Sequence, residues 1–488
     1  MPVGYSLRMK SFIWRGFFPG SAGILPASAG PVSEARKGYQ NMAEIAPFRG
    51  LRYNPERIPE LDRVVIPPYD VISKAEQSLF DELSPFNMVH LELGPERDGD
   101  SAVDNPHTRA AAYFQDWQAR GVLVRDPEPA LYYYELDYSL CGEAKTRTGF
   151  IGLLKLEDFA GGCVRPHEKT FASVKDERLA LMNAVHANLS PIYALYSDPE
   201  ARVDAALQSA CGGPPPVAFT DRYRLVHRLW PVVVPEVIGR VRELLHDQTI
   251  FIADGHHRYE TALNYRNLMR RCYPQAGARA SFEYVMMYLS NLHDDGVSIL
   301  PTHRLLKARP DWNDGRLLET AATWFEIRWF AGARDGLGAW AAALRAELDR
   351  KRTAIGFYHQ GVDGYYLLQA DYDAIDPILA ADGVPEVLRH LDVVILDRIV
   401  LRRLLGFSDQ DLGNPRNIRF HHSLPEAVKE IRDGSGEWGF FVNPTRIDQV
   451  RDVAGNGFTM PHKATYFYPK VGSGLVVNPL IADEQITV

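Results

Sequence analysis

Thr249–Tyr265 reads TIFIADGHHRYETALNY, and the fold turns on its two halves. Thr249-Ile250-Phe251-Ile252-Ala253 is a short apolar run rich in β-formers, which predicts a buried strand. After Asp254-Gly255 the pattern becomes helical. Tyr259, Ala262, Leu263 and Arg266 fall at spacings of three and four, Glu260 lies early, and Asp254 is the expected N-cap. A strand that turns into a helix through glycine leaves free N–H groups at the positive end of the helix dipole, a ready anion site. His256, His257 and Arg258 add side-chain donors to the same turn, so the expected anion is phosphate. Asp254 is placed beside them to hold a divalent cation or to take a proton. Zinc fits less well. Adjacent helical residues point about 100° apart, and position 260, one turn on from His256, is glutamate rather than histidine.

A second informative stretch is Val164–Asn188, VRPHEKTFASVKDERLALMNAVHAN. Arg165-Pro166-His167-Glu168 is expected in a loop after a strand, with a charged amphipathic helix starting near Ser173. Glu168, beside His167 and near Arg165 and Lys169, suits a general base whose charge the surrounding cations preserve. A solvated charged loop has the same composition.

The 488 residues are enough for a large core and two or three domains. Composition is that of an ordinary globular protein, at 46% hydrophobic and 24% charged, and the net charge of −8 argues against a general nucleic-acid binder. No apolar run approaches the roughly 18 residues of a membrane span. Cys141, Cys163, Cys211 and Cys272 are scattered without a CxxC pair, which fits a reducing cytoplasm. Residues 1–41 are rich in Gly, Pro, Ala and Ser with scattered Arg and Lys. They are expected to be a disordered extension or a mis-assigned start, and their removal is expected to leave folding and activity intact.

From Ala46 the chain reads as α/β with a mixed sheet. Val64–Ile66 is a strand candidate stopped by Pro67-Pro68, Asp70 a turn aspartate, and Ser73 with Glu76 a capping box for a helix over Lys74–Leu83. A helix follows over His107–Arg120, ended by Gly121. Ala130–Leu140 and Thr148–Leu156 are expected as a hairpin joined by the polar Gly142–Arg147. Ile192–Tyr196 and Tyr284–Leu289 read as strands, and Glu200–Ala210 and Glu236–His246 as helices. Leu300–Arg304 reads as a polar loop, Val387–Leu405 as one long helix and His421-His422 as loop decoration. Met460–Lys470, MPHKATYFYPK, mixes lysines, a threonine and aromatics in a way that suits a pocket lining.

Asp254–Arg258, Arg165–Glu168 and Met460–Lys470 carry a resemblance. With Pro67–Ser73, Asn188-Leu189-Ser190-Pro191 and Leu300–Arg304 they identify the chain as similar to the bacterial family DUF1015, of unknown function, from about Met42 to Pro479. The chain also resembles the archaeal ADP-dependent free serine kinases, which have a ParB/sulfiredoxin-like fold. Those enzymes carry a Pro-His-Glu segment, an Asp-Gly-His-His-Arg turn and a Pro-Lys-Thr-Thr segment in the order found here. The resemblance implies that Glu168 activates the substrate hydroxyl and that Asp254 is a second carboxylate or magnesium contact. It also implies that Gly255, His256, His257 and Arg258 hold the phosphates of ADP or ATP. Lys463 and Thr465, with Arg165 and His167, would then line the substrate pocket. The chain departs from those kinases in its greater length, and Ala464-Thr465-Tyr466 replaces Thr-Thr-Arg.

The expected protein is therefore a cytoplasmic α/β enzyme with a ParB/sulfiredoxin-like nucleotide core and added α/β elements. Residues 42–310 would carry the nucleotide site and 311–488 a region contributing to the substrate pocket. The expected reaction is magnesium-assisted transfer of phosphate from ADP or ATP to a small hydroxylated metabolite, a serine-like amino acid first, with neither nucleic acid nor membrane as partner. The rivals are a non-catalytic ParB-like nucleotide-binding regulator and a metal-dependent hydrolase using His167, His256 and His257.

Overall fold

The computed structural model describes residues 42–309, 312–332, 336–414, 416–435 and 437–488. The expectation for residues 1–41 lies outside them. The apolar runs of the first half form a nine-stranded mixed sheet. Its order is Val164–Arg165, Ile250–Asp254, Ile192–Tyr196, Tyr284–Asn291, Glu143–Lys155, Leu131–Leu140, Val226–Val232 and Val217–Thr220, with Ile45–Ala46 added against Glu143–Lys155. Ile250–Asp254 runs parallel to Val164–Arg165 and antiparallel to Ile192–Tyr196, which makes the sheet mixed.

Strand side chains alternate between faces, and here both faces are covered. Ile250, Ile252, Ala194 and Met287 enter one core with Val203, Leu207, Ile238 and Val241 from two helices, Arg202–Ser209 and Pro235–Leu245. Phe251, Ala253, Tyr193 and Met286 enter the opposite core. Every residue of Ile192–Tyr196 and Tyr284–Asn291 is buried, and both strands are apolar apart from Ser290 and Asn291 at the end of the second.

The hairpin is present, but its second strand begins at Glu143 rather than Thr148. Cys141 and Gly142, at φ 53° and 84°, make a two-residue turn, and the polar residues after it pair across to Asp137–Leu140. Val64–Ile66 is buried but is not a strand. Ile66 makes one bridge to Ser473, and the prolines that follow lack the N–H groups needed to continue.

A second, antiparallel sheet of six strands has the order Phe325–Ala331, Gly364–Ala370, Ala354–His359, Glu437–Val442, His303–Lys307 and Ile418–His421. The expected Leu300–Arg304 loop is corrected by it. Ser298–Leu300 ends one strand, and His303-Arg304 opens another with both residues buried. The polarity of Arg304 is tolerated because its guanidinium finds acceptors in the carbonyls of Thr302 and Lys463. Val387–Leu405 is not one helix either. It breaks into Glu386–Arg389, Asp392–Ile395 and the π-wound Leu396–Leu404, with extended Leu391 between the first two.

The C-terminal segment returns to earlier elements of the chain outside the nine-stranded sheet. Tyr466–Tyr468 pairs with Ser298–Leu300, Ser473 and Val477 bridge Ile66 and Leu51, and Asn478–Pro479 pairs with Ala187–Asn188. This return brings Met460–Lys470 over the end of Ile250–Asp254. Among the described residues no helix is long and apolar enough to cross a membrane.

Candidate functional site

The strand Ile250–Asp254 passes into the helix His256–Cys272 through Gly255, at φ 90°. Gly255 is the N-cap, a correction to the expected Asp254, and no side chain caps the helix. The first-turn N–H groups therefore keep their capacity for an outside acceptor. A Cβ on Gly255 would lie 2.9 Å from Arg258 Nε, so the residue here must be small as well as left-handed.

Asp254 faces two cations instead of the helix. Its Oδ1 lies 2.5 Å from Lys470 Nζ and its Oδ2 2.9 Å from Arg258 Nη2. Burial disfavours its charge, but Lys470 and then Arg258 outweigh this and hold its pKa down to about 2. With both oxygens engaged, Asp254 does not fit a magnesium ion. Arg258 is itself buried, and its Nη1 donates to the Pro191 carbonyl at 2.5 Å.

The Pro-His-Glu loop packs against the same helix start. The main-chain N–H of His167 donates to His256 Nε2 at 3.2 Å. His256 is neutral: burial first, then His167, push its pKa down to about 3. His167 Nδ1 lies 2.8 Å from the Ile252 carbonyl, which can only accept, so Nδ1 carries the proton. Burial keeps the ring neutral, and its Nε2 accepts the Thr465 hydroxyl at 2.8 Å. His257 Nε2 accepts the Phe171 N–H at 2.9 Å, with the Phe171 ring stacked on it. Arg165 turns away, its guanidinium lying beside Gly162 and Gly457.

Glu168 is the carboxylate left facing solvent, with a quarter of its side chain exposed. Its Oε1 accepts the Lys463 N–H at 3.2 Å and lies 3.1 Å from His462 Nδ1; its Oε2 is 3.9 Å from His256 Nδ1. Burial alone would raise its pKa. The His462 hydrogen bond leads the effects that outweigh this and hold it well below the usual carboxylate range. Lys463 adopts φ 58°, and among the described residues no partner engages its ammonium. The histidines do not form a zinc site: His167 spends both ring nitrogens, and His256 and His257 each spend Nε2 on a main-chain N–H. Among the described residues no group of three His, Cys, Asp or Glu side chains could hold a metal.

Three segments far apart in sequence thus meet around one helix start, where the ionised Glu168 and the Lys463 main chain lie beside the uncapped turn. His462, Tyr466 and Lys470, expected only as part of a pocket-lining stretch, take individual places here, and His422 is not expected here at all. Lys470 lies 4.6 Å above the Tyr466 ring, and His422 stacks on the same ring at 3.6 Å. His422 is therefore not loop decoration, since its Nδ1 also donates to the Pro301 carbonyl at 3.0 Å. Asp70 is exposed but close enough to act electrostatically on Arg258 and His257. Nothing in spacing alone marks these side chains.

The model of DUF1015, a protein of unknown function, matches residues 45–394. The chain belongs to the DUF1015 family. No curated protein matches it. Solved structures similar to this DUF1015 chain include a free serine kinase in complex with AMP, at 10% identity and TM-score 0.30, covering 62% of this chain and 84% of that one. A conserved hypothetical protein from Pyrococcus furiosus gives 10% and 0.31, with 65% and 94% covered. SbnI with a C-terminal truncation, from Staphylococcus aureus, gives 11% and 0.32, with 68% and 87% covered. At these values the likenesses carry no argument about what the DUF1015 chain binds.

Proposed function

We propose that this DUF1015 protein is a nucleotide-dependent phosphotransferase, with a ParB/sulfiredoxin-like core, that phosphorylates the hydroxyl of a small cytoplasmic metabolite such as a serine-like amino acid. The observation that carries the reading is the convergence of Glu168 and Lys463 on the uncapped start of His256–Cys272. Phosphoryl transfer asks a protein for positioning and charge neutralisation rather than covalent chemistry. The first-turn N–H groups and the Lys463 ammonium meet the terminal phosphates of ADP or ATP. Glu168 faces the acceptor, and the acceptor oxygen attacks the terminal phosphorus. The P–O bond to the leaving nucleotide breaks, its electron pair stays on the leaving phosphate, and Glu168 takes the hydroxyl proton. A strongly acidic carboxylate takes that proton late, as charge leaves the attacking oxygen.

Arg258 and Lys470 serve in this reading by fixing Asp254 and adding positive potential behind the phosphates. Thr465 presents its hydroxyl from a fixed orientation, because its proton is committed to His167. Glu168→Gln keeps the Lys463 contact but cannot take a proton. It is expected to bind nucleotide with near-native affinity in calorimetry while turnover falls by roughly 10²–10⁴-fold. Normal turnover in that variant would remove Glu168 from the mechanism.

A further inference from the structure

The site described so far uses one side of Lys470 and Tyr466. Their other side lines a cavity of about 190 Å³ between the helix Lys74–Leu83 and the turn Asp221–Leu225. Its walls are aromatic: Tyr466, Tyr468, Phe80 and Tyr223. Its polar groups carry both signs, with Asp221, Glu76, Arg222 and Lys470 at the lining. At the floor His227, 2% exposed, receives Tyr134 at Nδ1 (2.7 Å) and stacks on Phe219 at 4.5 Å. Its Nε2 has no hydrogen-bond partner and lies 3.3 Å from Asp221 Oδ2, outside bonding geometry. A buried imidazole nitrogen left short of a partner beside a carboxylate is costly unless a further polar group completes the set.

We infer that this cavity receives the base of a purine nucleotide. The inference rests on the nucleotide reading above and says where the rest of that molecule lies. A flat ring with donors and acceptors on its edge matches aromatic walls and a rim of mixed charge; a saturated hydrocarbon would leave the His227 Nε2 without a further partner and would desolvate the charged rim. Lys470 is the seam. Its ammonium is on Asp254 at the strand end, and its stem and the Tyr466 ring form a wall of the cavity, so the base side and the phosphate side of one ligand share it. Stacking on Tyr468 and Tyr223 supplies the ring's affinity, and Asp221 accepts from its exocyclic or ring N–H groups.

The test is calorimetric titration of the full chain with ADP, ATP, GTP and inorganic tripolyphosphate, repeated on Tyr468→Leu and Tyr223→Ala. Tyr468→Leu keeps apolar bulk, and Tyr223 is an exposed rim residue, so circular dichroism is expected to match the parent in both. The expected result is that a purine nucleotide binds the parent at least tenfold more tightly than tripolyphosphate. Each variant should lose about tenfold for the nucleotide, the scale of one lost base–aromatic stack, and nothing for tripolyphosphate. Equal binding of tripolyphosphate and nucleotides, unchanged in both variants, would overturn the base pocket while leaving the phosphate site standing. Binding of none of the four would overturn the nucleotide reading and the pocket with it.

Discussion

Gly255 concentrates two demands in one residue. Its φ of 90° is open to glycine at little cost, and the place of its missing Cβ is filled by the Arg258 guanidinium. Gly255→Ala is expected to lose about 1–3 kcal/mol of stability, from left-handed strain and from displacement of Arg258. Chemical denaturation of the variant checks this, and an unchanged midpoint would mean that the turn relaxes freely. The neutrality of His256 is fixed just as locally, by burial and by the main-chain N–H it accepts. It is expected to show no imidazole titration by NMR between pH 5 and 8, because its pKa is pushed down to about 3. A His256 resonance that titrates in that window would contradict the geometry around Nε2.

Among elements, the loop Met460–Lys470 matters most, and it is held from outside by buried arginines. Arg304 donates to the Lys463 carbonyl at 3.0 Å, and Arg147, fully buried between Tyr193 and Tyr288, donates to the Pro469 carbonyl at 2.6 Å. Burial lowers the Arg304 pKa to about 10, so its charge persists at neutral pH and its hydrogen bonds are charge-assisted. Arg304→Ala is expected to cost about 2–3 kcal/mol by denaturation, and Arg304→Lys to recover only part, since one ammonium cannot span the two carbonyls. Full recovery by lysine would show that the fork is not what holds Lys463.

The sequence made the local units legible. The strand before Asp254, the helix after Gly255 and the Ser73–Glu76 capping box follow from adjacent residues obeying local rules. It made Glu168 visible as a candidate too, because its chemistry stands out in its own loop. What stayed hidden is set by long-range pairing. His303-Arg304 looks polar and loop-like until Lys463 supplies an acceptor from far along the chain. The Val387–Leu405 pattern is helical throughout, but Leu391 turns extended so that the Asp392 carboxylate can accept the Asn443 N–H at 3.2 Å. Lys470 and Lys463 look alike in a row of letters, and only the strand at Tyr466–Tyr468 decides that Lys470 is the one on Asp254.

At the scale of the whole molecule, Asp392 gives stability a distinct pH dependence. Burial pushes its pKa up to about 7, against the opposing hydrogen bond from Asn443. The folded chain therefore holds a proton that the unfolded chain releases above its ordinary carboxylate range. The contribution is complete below about pH 4, falls as pH rises, and is gone above about pH 7. Asp392→Asn removes this slope. Its Tm relative to the parent is expected to climb by several degrees between pH 4 and 7 and then level off. A difference that stays flat across that range would show the carboxyl to be hydrated.

The return of the C-terminal segment has a consequence for how such a protein is made. His462 and Lys463 are synthesised nearly three hundred residues after Glu168, and Lys470 216 residues after Asp254. A ribosome that has delivered both sheets has still not delivered a working centre. A chain cut short before residue 460 would be born without His462, Lys463 and Lys470, leaving Glu168 without its His462 contact and Asp254 with Arg258 alone. Competence for the proposed reaction would thus arrive in one late step of translation.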